Sequence, residues 1–138
     1  MPCEVMSIRS RRLDTNPALA ISELGQGEAV LFLHGLGSTK ENWSYQLQAI
    51  GAHHYAIAWD ARGYGDSDDL DMPRDFARDF AGDLRQVLDR LGIERAHLVG
   101  LSMGGIIAQC FYFLHPDRVA TLSLADTFAR FADIGAAA

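Results

Sequence analysis

Ala29-Val-Leu-Phe-Leu33 is a continuous apolar run, and the glycine-rich stretch His34-Gly35-Leu36-Gly37 follows it directly. An unbroken run this short suits a strand buried on both faces, which needs other layers above and below it. Tyr55–Trp59 reads as another short buried strand, and Ala96–Leu101 and Val119–Ala125 read as strands. Helical patterns lie between them. Glu41–Ile50 is one. Phe76, Phe80, Leu84, Val87, Leu88 and Leu91 follow helical spacing in a second, with Gly92 where a C-cap belongs. Met103–Leu114 is a third, and His115-Pro116-Asp117 breaks the chain after it. Two further strands, Cys3–Arg9 and Ala18–Leu24, are expected around the turn signal Asp14-Thr15-Asn16-Pro17. Strands alternating with helices of this length predict an α/β fold, a mostly parallel sheet with helices on both faces.

The chemistry-bearing motif is Gly100-Leu101-Ser102-Met103-Gly104, between an apolar strand and an apolar helix. A G-x-S-x-G in that context presents a serine on a tight turn whose glycines stand where side chains would clash. Ser102 then falls at the C-terminal edge of the sheet, beside a helix N-terminus whose dipole favours negative charge. Acyl transfer also needs preorganised donors for an oxyanion. The loop His34–Gly37 can supply one backbone amide, at Leu36, and the residue after the nucleophile, Met103, the other. Asp60-Ala61-Arg62-Gly63-Tyr64-Gly65-Asp66-Ser67 reads as structural, with Arg62 and Asp60 tying a glycine-permitted turn down by charged hydrogen bonds.

HGLGSTKENW (34–43), DARGYGDS (60–67), LVGLSMGG (98–105) and HPDRV (115–119) occur in this order, and on them the chain resembles the α/β-hydrolase fold superfamily. Around LSMGG and LADT it looks most like the 3-oxoadipate enol-lactonases and their carboxylesterase relatives. The resemblance implies Ser102 as nucleophile, the Leu36 and Met103 amides as oxyanion hole, and His34, Gly35 and Gly37 as the supporting loop. It implies hydrolysis of carboxylic esters or lactones through an acyl-enzyme. Dehalogenases and epoxide hydrolases of this fold carry aspartate at the elbow, so the serine counts against those chemistries. Thioester hydrolysis, perhydrolysis and C–C bond hydrolysis stay compatible with Ser102. The family's sheet usually has eight strands and this sequence supplies about six. Residues 1–138 therefore read as a single N-terminal portion of an α/β-hydrolase domain, truncated before the lid and the C-terminal strands. The acid after strand seven and the histidine after strand eight would lie outside it.

A substitute base is hard to find within the chain. His97 begins the strand that Ser102 ends, about 16 Å away at strand rise. His115 lies thirteen residues along the following helix, about 20 Å away. His53 and His54 precede a strand, at the opposite edge of the sheet. His34 alone is at the correct edge, where relatives use it to support the oxyanion loop. Asp126 ends the sixth strand at an edge where some family members place their acid, but reads first as a strand-end turn residue. Trp43 reads as packing before pocket lining.

Composition narrows the rest. The 138 residues are 49% apolar and 22% charged, enough for one domain with its own core. A net charge of −6 argues against nucleic acid and anionic membranes as partners. Cys3 and Cys110 form neither a disulfide framework nor a metal motif, and Cys110 reads as a small core residue. No metal-ligand cluster or phosphate-binding glycine motif appears, so no metal and no cofactor are expected. Without an apolar leader at the N-terminus, a cytoplasmic location is expected. Two readings follow: the N-terminal piece of a serine hydrolase for a small ester or lactone, or a short non-catalytic binding or interaction module. The first expects a complementing C-terminal segment, or self-association of the exposed sheet edge.

Overall fold

The computed structural model describes residues 6–69 and 75–128. β1 (Arg9–Leu13), β2 (Leu19–Leu24), β3 (Ala29–Leu33), β4 (Tyr55–Trp59), β5 (Ala96–Leu101) and β6 (Val119–Ala125) form one sheet. Its spatial order is β1-β2-β4-β3-β5-β6. β1 and β2 run antiparallel, and so do β2 and β4. β4, β3, β5 and β6 are mutually parallel, and the inner strands β3 and β4 carry the apolar runs that cover on both faces demands, while β6 is mostly exposed. α1 (Ser44–Ile50), α2 (Phe76–Arg90) and α3 (Met103–Leu114) connect them.

Strand alternation divides the core into two layers. Leu31, Leu33, Ile57, Trp59 and Leu98 face α2 and α3, meeting Phe80, Leu84, Val87, Ile107 and Phe111. Phe32, Ala56 and Ala58 face the other way, against Trp43 and Leu47 of the α1 side. Helices thus cover both faces, as the sequence pattern predicts. Asp75 caps α2 by accepting a hydrogen bond from the Arg78 amide. Leu91 ends that helix, and Gly92 follows at φ +68°, a conformation glycine adopts without strain.

Four expectations change. The first strand is Arg9–Leu13, not Cys3–Arg9. Pairing with β2, from Arg9 opposite Glu23 to Leu13 opposite Leu19, sets its position, although only Leu13 of the strand is buried. Cys3 lies outside the described residues. The segment from residue 41 begins as a 3-10 turn, Lys40–Trp43, and becomes α-helical only at Ser44. Arg62 does not bind Asp60. It forms a two-pronged pair with Asp83 of α2, at 2.6 and 2.7 Å, while Asp60 binds Lys40. Cys110 is half-buried rather than core, and burial raises its thiol pKa. No helix among the described residues is long and apolar enough to cross a membrane.

Candidate active site

The parallel strands end together, and register fixes what meets there. Leu33 pairs with Gly100, and Leu101 with Ala125. Ser102, the residue after β5, therefore stands beside the loop after β3 and the end of β6. Its backbone has φ +52° and ψ −114°, a left-handed conformation that a side chain makes costly. Neighbours hold it there. Its N–H donates to Ala125 O at 3.0 Å. Its carbonyl accepts from the Gly105 and Ile106 amides, at 2.9 and 3.2 Å, and from Thr127 Oγ1 at 2.7 Å.

Close packing makes the motif's glycines obligatory. A β-carbon on Gly100 would lie 2.5 Å from Gly104 O and 2.6 Å from Gly105 Cα. One on Gly105 would lie 2.6 Å from Thr127. β5 and α3 thus meet backbone to backbone, which lifts Ser102 to the sheet edge. α3 begins at Met103 and has no acidic residue in its first turn, so the positive end of its dipole faces the serine unopposed.

Gly35 packs against Ser102. A β-carbon on Gly35 would lie 3.3 Å from Ser102 Cβ and 3.9 Å from Oγ. Gly37 takes φ +75° within the turn that the Ser38 amide closes on Gly35 O. Among the described residues, neither the Leu36 nor the Met103 amide has an acceptor, so both donors are free. Tyr64 links the two sides. Its ring centroid is 5.0 Å from that of His34, and its hydroxyl is 3.7 Å from the Met103 sulfur.

His34 is fully buried, and both ring nitrogens are engaged. The Ala61 amide donates to Nε2 at 3.0 Å, which makes Nε2 the acceptor. Nδ1 then carries the proton and donates to Gly35 O at 2.9 Å. Burial lowers the His34 pKa below its ordinary value, against smaller opposing effects of Gly35 O, Asp60 and Glu41. With no free lone pair, His34 cannot take a proton from Ser102. The other four histidines lie away from this edge. His97 bonds Thr121 Oγ1 at 2.7 Å and faces Glu28 at the opposite end of the sheet. His53 and His54 precede β4, and His115 follows α3.

Asp126 is at the correct edge, exposed, one residue beyond Ala125, with φ +44°. Trp43 is buried and packs on Phe32 at 5.1 Å between ring centroids, as expected of a packing residue. An apolar hollow of about 360 Å³ lies between the first turn of α2 and the outer face of α3, beside Ile106, Cys110, Phe113 and Phe128. It does not include Ser102.

Lys40, Tyr64 and Thr127 carry parts of this arrangement that the sequence reading passed over. Lys40 is 1% exposed, with its ammonium 2.7 Å from Asp60, 2.7 Å from Asp66 and 2.9 Å from Glu41. Burial opposes its charge, but bonds to the three carboxylates outweigh burial and hold its pKa above the ordinary value. The signal available was the charge pattern Lys40-Glu41 and Asp60…Asp66, whose convergence needs the fold.

A family model of the alpha/beta hydrolase fold matches residues 28–138. Epoxide hydrolase 2 of Siraitia grosvenorii is 41% identical over 104 residues, 74% of this chain and 33% of that protein. A 2-hydroxy-6-oxononadienedioate/2-hydroxy-6-oxononatrienedioate hydrolase of Comamonas testosteroni is 38% identical over 114 residues, 80% of this chain and 40% of that one. Among solved structures, Est816, an N-acyl homoserine lactone degrading enzyme, superposes with a TM-score of 0.79 at 28% identity, covering 85% of this chain and 45% of its own. The chain spans a third to under half of the length of these relatives.

Proposed function

Because the chain belongs to the α/β-hydrolase fold family, we propose that it is the N-terminal portion of a serine hydrolase acting on carboxylic esters or lactones. Ser102 Oγ adds to the substrate carbonyl and gives its proton to a base. The Leu36 and Met103 amides receive the oxyanion. The tetrahedral intermediate expels the alkoxide, which takes that proton from the base, and water then hydrolyses the acyl-enzyme. The base, and an acid to orient it, come from a segment beyond these 138 residues; Asp126 is the candidate acid within them.

The observation that carries this reading is the Ser102 backbone at φ +52°. A serine with a capping or packing role has no need of that conformation, which costs about 1–3 kcal/mol and persists only where its surroundings enforce it. The likeness to a lactone-degrading enzyme supports the substrate class. The likeness to proteins named epoxide hydrolases supports the fold and the hydrolase class, while the elbow residue separates the chemistries. A carboxylate at the elbow would open an epoxide to an alkyl ester, whereas a serine forms an acyl ester.

The test is p-nitrophenyl ester turnover by the 138-residue chain, alone and mixed with a C-terminal segment carrying histidine and aspartate. Ser102→Ala is run in each arm. General-base assistance contributes about 10²–10⁴-fold, so a gain of that order on mixing, abolished by Ser102→Ala, is expected. Slow turnover by the short chain is compatible, since oxyanion donors act without the base. No gain with any complementing segment would favour a non-catalytic binding module. Phe113 is 88% exposed and Phe128 61%, and β6 is an end strand of the sheet among the described residues. That apolar surface accords with self-association or capture of the complementing segment, and a clean monomer in sedimentation would count against both.

A further inference from the structure

We propose that Lys40 is a positioning residue for the oxyanion loop, acting through Asp60 and His34 on the Gly35–Leu36 peptide. The proposal rests on the assignment of the Leu36 amide as an oxyanion donor. That amide belongs to the same peptide unit as Gly35 O, and the unit is trans. In a trans peptide the C=O and N–H point in opposite directions. Whatever holds Gly35 O therefore aims Leu36 N–H.

Gly35 O is held twice, by His34 Nδ1–H at 2.9 Å and by the Ser38 amide at 3.2 Å. The His34 ring is itself fixed by the Ala61 amide on Nε2. Ala61 follows Asp60, and the fully buried Asp60 carboxylate joins the two loops. It accepts from the Lys40 amide and ammonium, each at 2.7 Å, and from the Asp66 amide at 2.9 Å. Gly65 lets the 60–66 loop wrap this carboxylate, since a β-carbon there would lie 2.3 Å from it. Lys40 thus ties down the far end of the loop that starts at His34, and Asp60 places the amide that orients His34. A buried Asp60 without the ammonium would be an uncompensated charge, and the loop would shift to hydrate it.

The test pairs Lys40→Met/Asp60→Asn, which removes both charges together, with Lys40→Gln, which keeps a donor beside Asp60. Circular dichroism reports folding. Proton–nitrogen NMR reports solvent exchange at the His34 Nδ1–H and the Leu36 amide shift, and ester hydrolysis supplies kcat and KM separately. Loss of one oxyanion donor costs about 10²–10³-fold, so a misaimed donor should lower kcat by roughly tenfold or more, with KM little changed. The folded variants should also lose protection at His34 and shift the Leu36 amide. Folded variants with wild-type His34 exchange, an unmoved Leu36 amide and unchanged kcat would overturn the proposal. Failure of both variants to fold would also overturn it, making Lys40 a stability residue. If the wild type shows no Ser102-dependent turnover even with a complementing segment, the serine hydrolase reading fails. The NMR comparison still decides the role of Lys40.

Discussion

Replacing Gly104 by alanine adds one methyl group at the second residue of α3, where the structure leaves no room. The new β-carbon would lie 2.1 Å from Leu33 O, 2.5 Å from the Leu33 carbonyl carbon and 2.8 Å from His34 O. These are main-chain atoms at the end of β3 and the start of the loop facing Ser102, so no side-chain rotation relieves the clash. The helix must instead move off the sheet by roughly 1 Å to restore ordinary contact distances. Overpacking of this kind costs about 1–3 kcal/mol, while the better helix propensity of alanine returns up to about 1 kcal/mol. The expected net loss is about 1–2 kcal/mol, seen as a Tm lower by roughly 4–8 °C in a chain of this size. A 1 Å displacement between Met103 and the oxyanion loop should also cost on the order of 10²-fold in turnover. Gly82 is the control. It lies inside α2, and a β-carbon there meets nothing within 4 Å. Gly82→Ala should therefore stabilise the chain by about 0.5–1 kcal/mol. Urea unfolding followed by circular dichroism measures both. Gly104→Ala as stable as the parent, or Gly82→Ala equally damaging, would refute the packing argument.

Three other outcomes are expected. Ser102→Gly removes a side chain from φ +52°, so relief of about 1–3 kcal/mol of strain should exceed the glycine entropy cost and raise the urea midpoint while abolishing turnover. A lower midpoint would mean that the serine is not strained. Arg62→Met strands the carboxylate of Asp83, which is 1% exposed, and should cost about 3 kcal/mol in urea unfolding, most of it regained in Arg62→Met/Asp83→Leu. A double variant no better than the single would contradict this. The His34 pKa is lowered by burial, so below about pH 6.5 the unfolded chain binds a proton that the folded chain refuses. Stability should fall as pH drops from about 7 to 5, with His34 contributing a slope of at most about 1.4 kcal/mol per pH unit. His115, whose pKa is also lowered chiefly by burial, adds in the same sense. His34→Asn in a His115→Asn background should flatten the profile between those values, and an unchanged slope would exclude His34 as its source.

Local pattern by itself determined much of this protein. Ala29–Leu33, Tyr55–Trp59, Ala96–Leu101 and Val119–Ala125 are strands at the expected residues, and Met103–Leu114 is the helix expected after the elbow. Ala29–Leu33 and Tyr55–Trp59 were legible because burial on both faces of a parallel strand demands an uninterrupted apolar run. The Gly-x-Ser-x-Gly elbow was legible for a related reason. Backbone-to-backbone contact admits only glycine, so sterics write themselves into sequence at Gly100 and Gly104. Only the tertiary structure decided the partners of charges and rings. Arg62 and Asp60 are two residues apart, yet each pairs elsewhere, with Asp83 and Lys40. The tautomer of His34 depends on an amide twenty-seven positions away. The location of β1 depends on its pairing with β2 rather than on its own largely exposed residues. Long side chains and edge strands take their positions from whatever neighbours the fold brings within hydrogen-bond reach, and no local pattern encodes which neighbours those are.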